Sequence, residues 1–134
     1  MSVLTDLATR LDDKNVGTLN TTIFRGRLPD EPDAVIALQT YDRDESRIRG
    51  VEYLAADERF NVQVTVRSLN QAAAETLADS AWDAIQFRHK VLSSGLTYQY
   101  ARCPSKPAFI GVDERGRHLI TFNVEVRRLR KTGL

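Results

Sequence analysis

The chain has 134 residues, 42% of them hydrophobic and 28% charged, and its 19 basic and 18 acidic residues leave a net charge of +1. That balance excludes an intrinsically disordered chain and fits one soluble globular domain spanning residues 1–134. No apolar run approaches the ~20 residues that cross a bilayer, so no membrane partner is expected.

The single cysteine, Cys103, excludes an intrachain disulfide and a cysteine-based zinc site. The first residues, MSVLTDLATRLDDKN, carry acids and lack a basic start, so they are not expected to form a secretory signal, and the cytoplasm is the expected site of synthesis. The charge is unevenly placed: residues 1–60 hold 12 acids and 8 bases, and residues 61–134 hold 6 acids and 11 bases. Such asymmetry suits a protein whose ends meet differently charged neighbours.

Leu4, Leu7, Ala8 and Leu11 fall on one helical stripe, and Asn15 and Gly17 follow as stop signals. Residues 19–27 alternate as a short strand. LPDEPD, residues 28–33, reads as a rigid exposed loop, and 34–41 returns to strand composition. The adjacent Val35 and Ile36 suit an internal strand covered on both sides at one end. DRDESRIRG, residues 42–50, has no packing pattern and reads as a solvated loop.

Arg59 to Ser68 is the clearest strand, with Phe60, Val62, Val64 and Val66 on one face and Asn61, Gln63, Thr65 and Arg67 on the other. A long alanine-rich helix is expected from Gln71 to Leu92, capped by Ser68 or Asn70 and ended by Ser93, Ser94 and Gly95. Three extended segments close the chain: Leu96–Cys103, Phe109–Val112, and Arg117–Leu129 after a glycine turn at 113–116. Strands joined by turns favour antiparallel pairing. The expected fold is therefore an α+β two-layer sandwich, a mainly antiparallel sheet with two helices packed on one face.

The sequence offers little chemistry. His89 and His118 lack a second ligand at metal-binding spacing. Cys103 before Pro104 reads as a packing residue. GVDERGR has neither the lysine nor the helix of a phosphate loop. Four bases in 127–131 point to nucleic acid, but no aromatic residue is interleaved, and strand alternation sends Arg127 and Arg128 to opposite faces. No catalytic, cofactor-binding or metal-binding residue is assigned, and no enzymatic activity is expected.

The stretch FNVQVTVRSLNQAAAETLADSAWDAI passes from an alternating strand straight into an alanine-rich helix. FIGVDERGRHLITFNVEVR supplies a late hairpin with a long final strand, and FRGRLPDEPDAVIALQTY lies upstream. This order of elements, from about Leu4 to Arg128, resembles the minor capsid and tail-terminator proteins of tailed bacteriophages. The resemblance implies small α+β domains that assemble, typically as hexamers, into a ring on the last disc of the tail tube. There the ring stops tube growth and presents a surface to the head or the neck stopper. The implied partners are other copies of the chain, the tail tube protein, and a head or neck connector. DNA contact is not expected beyond passage through the ring, and the implied location is the tail–head junction of the virion.

A ring subunit needs a sideways contact with its own kind and two further surfaces. The loops 28–33 and 41–50 are long enough to reach a neighbour. Candidate contact residues are Asp42, Arg43, Asp44, Glu45 and Arg47, with Arg67 and Arg127 on outer strand faces placed to pair with a neighbour's acids. Two other readings compete: a neck connector or stopper that terminates no tube, and a DNA-contacting adaptor.

Overall fold

The structure, a computed structural model, describes residues 3–43 and 57–129. Its elements are α1 (Val3–Asp13), β1 (Ile23–Arg25), β2 (Val35–Arg43), β3 (Asp57–Ser68), α2 (Gln71–Ile85), β4 (Phe87–Val91), β5 (Thr97–Arg102), β6 (Ala108–Val112) and β7 (His118–Leu129).

The alternating strands β3 and β7 pair antiparallel over twelve residues, from Asp57 opposite Leu129 to Ser68 opposite His118. Because successive side chains alternate faces, this register puts Val62, Val64 and Val66 beside Phe122, Val124 and Val126 on one side. All six are at most 2% exposed. At roughly 1.5–3 kcal/mol for each buried aliphatic or aromatic side chain, this stripe contributes a large share of the burial that drives folding.

The strand order is β1-β2-β3-β7-β5-β4, and β6 also pairs with β7. β5 takes the C-terminal half of β7 and β6 takes its N-terminal half. All pairs are antiparallel except β1 with β2, which is parallel. The expected sandwich is what forms: α1 and α2 pack on the valine-rich face and on each other.

Helix α1 buries Val3, Leu7, Ala8 and Leu11. Helix α2 buries Ala74, Ala78 and Ala81, whose small side chains let the helix approach the sheet closely, together with Ile85. Asn70 is its cap, accepting from the Ala73 N–H at 2.8 Å. Val35 and Ile36 are both buried, as expected for a strand covered on both sides at one end.

The expected helix 71–92 is too long. The chain leaves the helix at Ile85, and Phe87–Val91 becomes β4, paired with β5. Neither glycine nor proline marks the break. Tertiary contacts set it: the Arg10 guanidinium donates to the carbonyls of Ala84 and Gln86, the groups a helix end leaves unpaired. Phe87 then packs edge-on against Tyr98, with ring centroids 6.0 Å apart. His89, expected late on the helix, sits instead in β4 with φ of 46°. The strand expected over 19–27 shrinks to Ile23–Arg25, because the Thr18 carbonyl draws the N–H groups of Thr21, Thr22 and Ile23 into a turn.

Candidate assembly surface

The sheet face away from the helices carries Asn61, Gln63 and Thr65 of β3 and Thr121 and Asn123 of β7, all half-buried, and no described helix covers it.

At one end lies the loop 28–33. Two arginines anchor it. Arg67 donates to the carbonyls of Pro32 at 2.7 Å and Asp33 at 3.2 Å. Arg117 donates to the Asp30 carbonyl at 2.6 Å and bridges Asp33 at 3.3 Å and Asp113 at 2.8 Å. Gly116, at φ of 79°, makes the β6–β7 turn that brings Asp113 back to Arg117. The Asp113 carboxylate accepts from the N–H groups of Arg115 and Arg117 as well as from the Arg117 guanidinium. Desolvation pushes its pKa up, but these donors outweigh it and hold the carboxyl below the usual range. The loop is thereby a fixed platform that exposes Asp30 and Glu31, beside Glu114 and Arg115 of the turn.

At the other end the register aligns Arg59 with Arg127, Arg127 with Tyr100, and Tyr100 with Arg88. One row across four strands therefore reads Arg-Arg-Tyr-Arg. The next row holds Asn61, Glu125 and Arg102. Arg102 pairs with Glu125 at 3.0 Å and lies 5.0 Å from the Tyr100 ring centroid. Arg59, Asn61, Tyr100, Arg102 and Glu125 line an open groove of about 390 Å³.

The candidate contact residues fare unequally. Arg67 is 2% exposed, so its expected role toward a neighbour's acids is corrected: it is an internal clamp, because loop 28–33 folds over it. Arg127 is half-buried on the open face, opposite Arg59. Asp42 and Arg43 close β2, opposite Asn61 and Phe60, while Asp44, Glu45 and Arg47 lie outside the described residues. Arg128, as alternation requires, turns the other way; it lies 4.9 Å from the Phe60 ring and pairs with Glu58 at 3.0 Å.

The sequence reading missed Arg59, Arg88, Tyr100 and Arg102. They are scattered over 44 positions, and only strand pairing assembles them.

Reactive groups stay apart. Burial pushes the Cys103 thiol up to about 12. The Nδ1 of His118 is buried without a hydrogen-bond partner among the described residues, beside the Phe109 ring. No three His, Cys, Asp or Glu side chains among the described residues cluster as a metal site. No described helix is long and apolar enough to cross a membrane.

A family model described as bacteriophage tail terminator protein matches residues 10–130. The chain belongs to the bacteriophage tail terminator family. It is accordingly a structural protein of the phage tail. No curated protein shows a significant match to it. Solved structures share the fold of this terminator-family chain. One, titled as the virion of a native gene transfer agent particle, superposes with a TM-score of 0.69 at 12% identity, over 96% of each chain. A second solved chain has a TM-score of 0.56 at 16% identity, over 97% of this chain and 94% of its own.

Proposed function

We propose that the chain closes into a ring of identical copies, hexameric by family likeness, at the head-proximal end of the phage tail. The ring ends growth of the tail tube and offers its opposite side to a head or neck connector. The observation that carries this reading is the family match over residues 10–130, nearly the whole chain. The fold shared with a chain from a virion particle supports it, as does an open polar sheet face that no described helix covers.

The work of such a subunit is docking. A rigid β3–β7 core holds surfaces in fixed relation, and contacts that repeat with a constant rotation close on themselves. Deleting the gene tests the reading: overlong or unjoined tails are expected, and tails of normal length on infectious particles would refute it.

A further inference from the structure

We infer that β6 pairs with the β6 of a second copy, antiparallel and two-fold, with Ile110 at the centre of the contact. The pairing is separate from the ring contacts, because a two-fold contact uses the same surface on both copies and does not propagate. It joins two single copies, or copies in two facing rings.

The sheet leaves β6 half used. One edge of the strand pairs with β7, and no described strand pairs with the other. The Asp113 N–H points to β7, donating to the Arg117 carbonyl at 2.9 Å. Backbone groups alternate edges along an antiparallel strand, so those of Val112 face the free side. A free edge is a template for another chain, and sheets commonly blunt it with charge. The outer strand β4 does so with exposed Arg88 and Lys90. The five side chains of β6, Ala-Phe-Ile-Gly-Val, carry no charge. Phe109, Ile110 and Val112 are 46%, 56% and 52% exposed, three of the seven exposed large apolar side chains among the described residues. Gathered on one short free edge, they mark a contact.

Charge at the two ends of β6 points to a second copy as the occupant. Two-fold pairing over the whole of Ala108–Val112 has one register: Ile110 against Ile110, Phe109 against Gly111 and Ala108 against Val112. Gly111, at φ of 137° where the strand shifts register against β7, leaves open space for the Phe109 ring of the second copy. Continued past both ends of the strand, the same register sets Lys106 of one copy against Glu114 of the other. Both residues are exposed, and neither has a hydrogen bond or ion pair to a described residue. By symmetry that opposite-charge pair forms twice, once at each end. The contact has an apolar centre and a charged rim. With five strand residues from each copy it is small, so it falls in the weak class of interfaces and comes apart on dilution.

The test uses the full chain carrying Cys103→Ala, with one new cysteine at a time, and circular dichroism confirms that each variant folds. Directly opposed residues have Cα atoms about 4.5–5.5 Å apart, within disulfide reach. Ile110 faces its own counterpart, so Ile110→Cys is expected to give a covalent dimer under a mild thiol oxidant. Val112→Cys lies four residues, about 13 Å, from its counterpart along the strands and is expected to stay uncoupled. A second measurement needs no cysteine. Sedimentation velocity is expected to show Lys106→Glu, which sets acid against acid, weakening the two-copy contact at least ~threefold. Lys106→Glu combined with Glu114→Lys is expected to restore it, since each copy again offers both signs.

Coupling at Ile110→Cys but not at Val112→Cys, with rescue by the charge exchange, supports the pairing. Equal coupling at both positions, or a charge exchange no better than Lys106→Glu alone, overturns it. An uncoupled Ile110→Cys also overturns it and leaves the edge to a different chain, and a ring formed by that variant still stands. Coupled pairs in a chain that never forms a ring count against the ring and leave the pairing in place.

Discussion

The Tyr98 hydroxyl, from β5, donates to Asp6 Oδ2 of α1 at 2.6 Å, with both residues at most 1% exposed. The same carboxylate accepts from Ser93 Oγ at 3.0 Å, the Ser94 N–H at 3.0 Å and Ser94 Oγ at 2.6 Å. One buried acid thus ties the first helix to the β4–β5 turn. Asp6→Ala would take the acceptor from three hydroxyls and an N–H, of which the Tyr98 hydroxyl is on a buried residue, the Ser94 groups on a half-buried one and the Ser93 hydroxyl on an exposed one. It should cost roughly 2–4 kcal/mol, since each stranded donor costs about 1–3 kcal/mol before relaxation. Tyr98→Phe removes one donor and should cost less, roughly 1.5–3 kcal/mol. Urea unfolding of both variants checks the order.

The same contact has an alkaline signature. Burial raises the Tyr98 pKa above its ordinary value, and the hydrogen bond to Asp6 raises it further. The stability this contributes is fully present below the unfolded value of about 10 and is lost as pH rises toward the folded value. Tyr98 should resist ionisation until the chain unfolds. Ultraviolet titration should show a late phase that disappears in Tyr98→Phe.

Arg67→Ala should release the 28–33 loop. The truncation removes a side chain that is 2% exposed and the donors to two carbonyls, and a loss of roughly 2–4 kcal/mol is expected. Amide exchange at Glu31 and Asp33 should accelerate while exchange in the β3–β7 centre changes by no more than the global loss. Arg67→Lys keeps the charge but not the two-pronged geometry and should recover only part of the protection.

Asp113 predicts an acid-side effect. Its carboxyl titrates below the ordinary range, so its contribution is present above the unfolded value of about 3.9 and fades as pH falls through the folded one. Carbon-detected NMR should place the Asp113 midpoint below that of free aspartate. Arg117→Gln should move it back up.

Cys103 should be inert in the native chain. With its thiol at about 12, almost none is thiolate at pH 8, and alkylation should become fast only in denaturant. Rapid native modification would show that the end of β5 opens.

The alternation of Val62, Val64 and Val66 and of Phe122, Val124 and Val126, the α1 stripe and the turn before Arg117 were all legible in the sequence. Each depends on local periodicity or turn chemistry, and burial follows periodicity wherever one face must be apolar. The candidate contact residues were less legible. Arg67 reads as outward from its alternation, yet a loop more than thirty positions upstream closes over it. Strict alternation along a strand would put Tyr98 and Tyr100 on one face, yet a register shift between them turns Tyr98 into the core and leaves Tyr100 in the row with Arg127.

By itself the sequence determined the layers: which faces are apolar, how many long strands there are, and that two helices must cover them. It did so because apolar residues leave water wherever their spacing gathers them on one side. Only the tertiary structure decided where α2 stops, what Arg67 holds and which arginines stand together. Those outcomes depend on partners 11 to 76 positions away, whose hydrogen bonds, packing and strand register no local window contains.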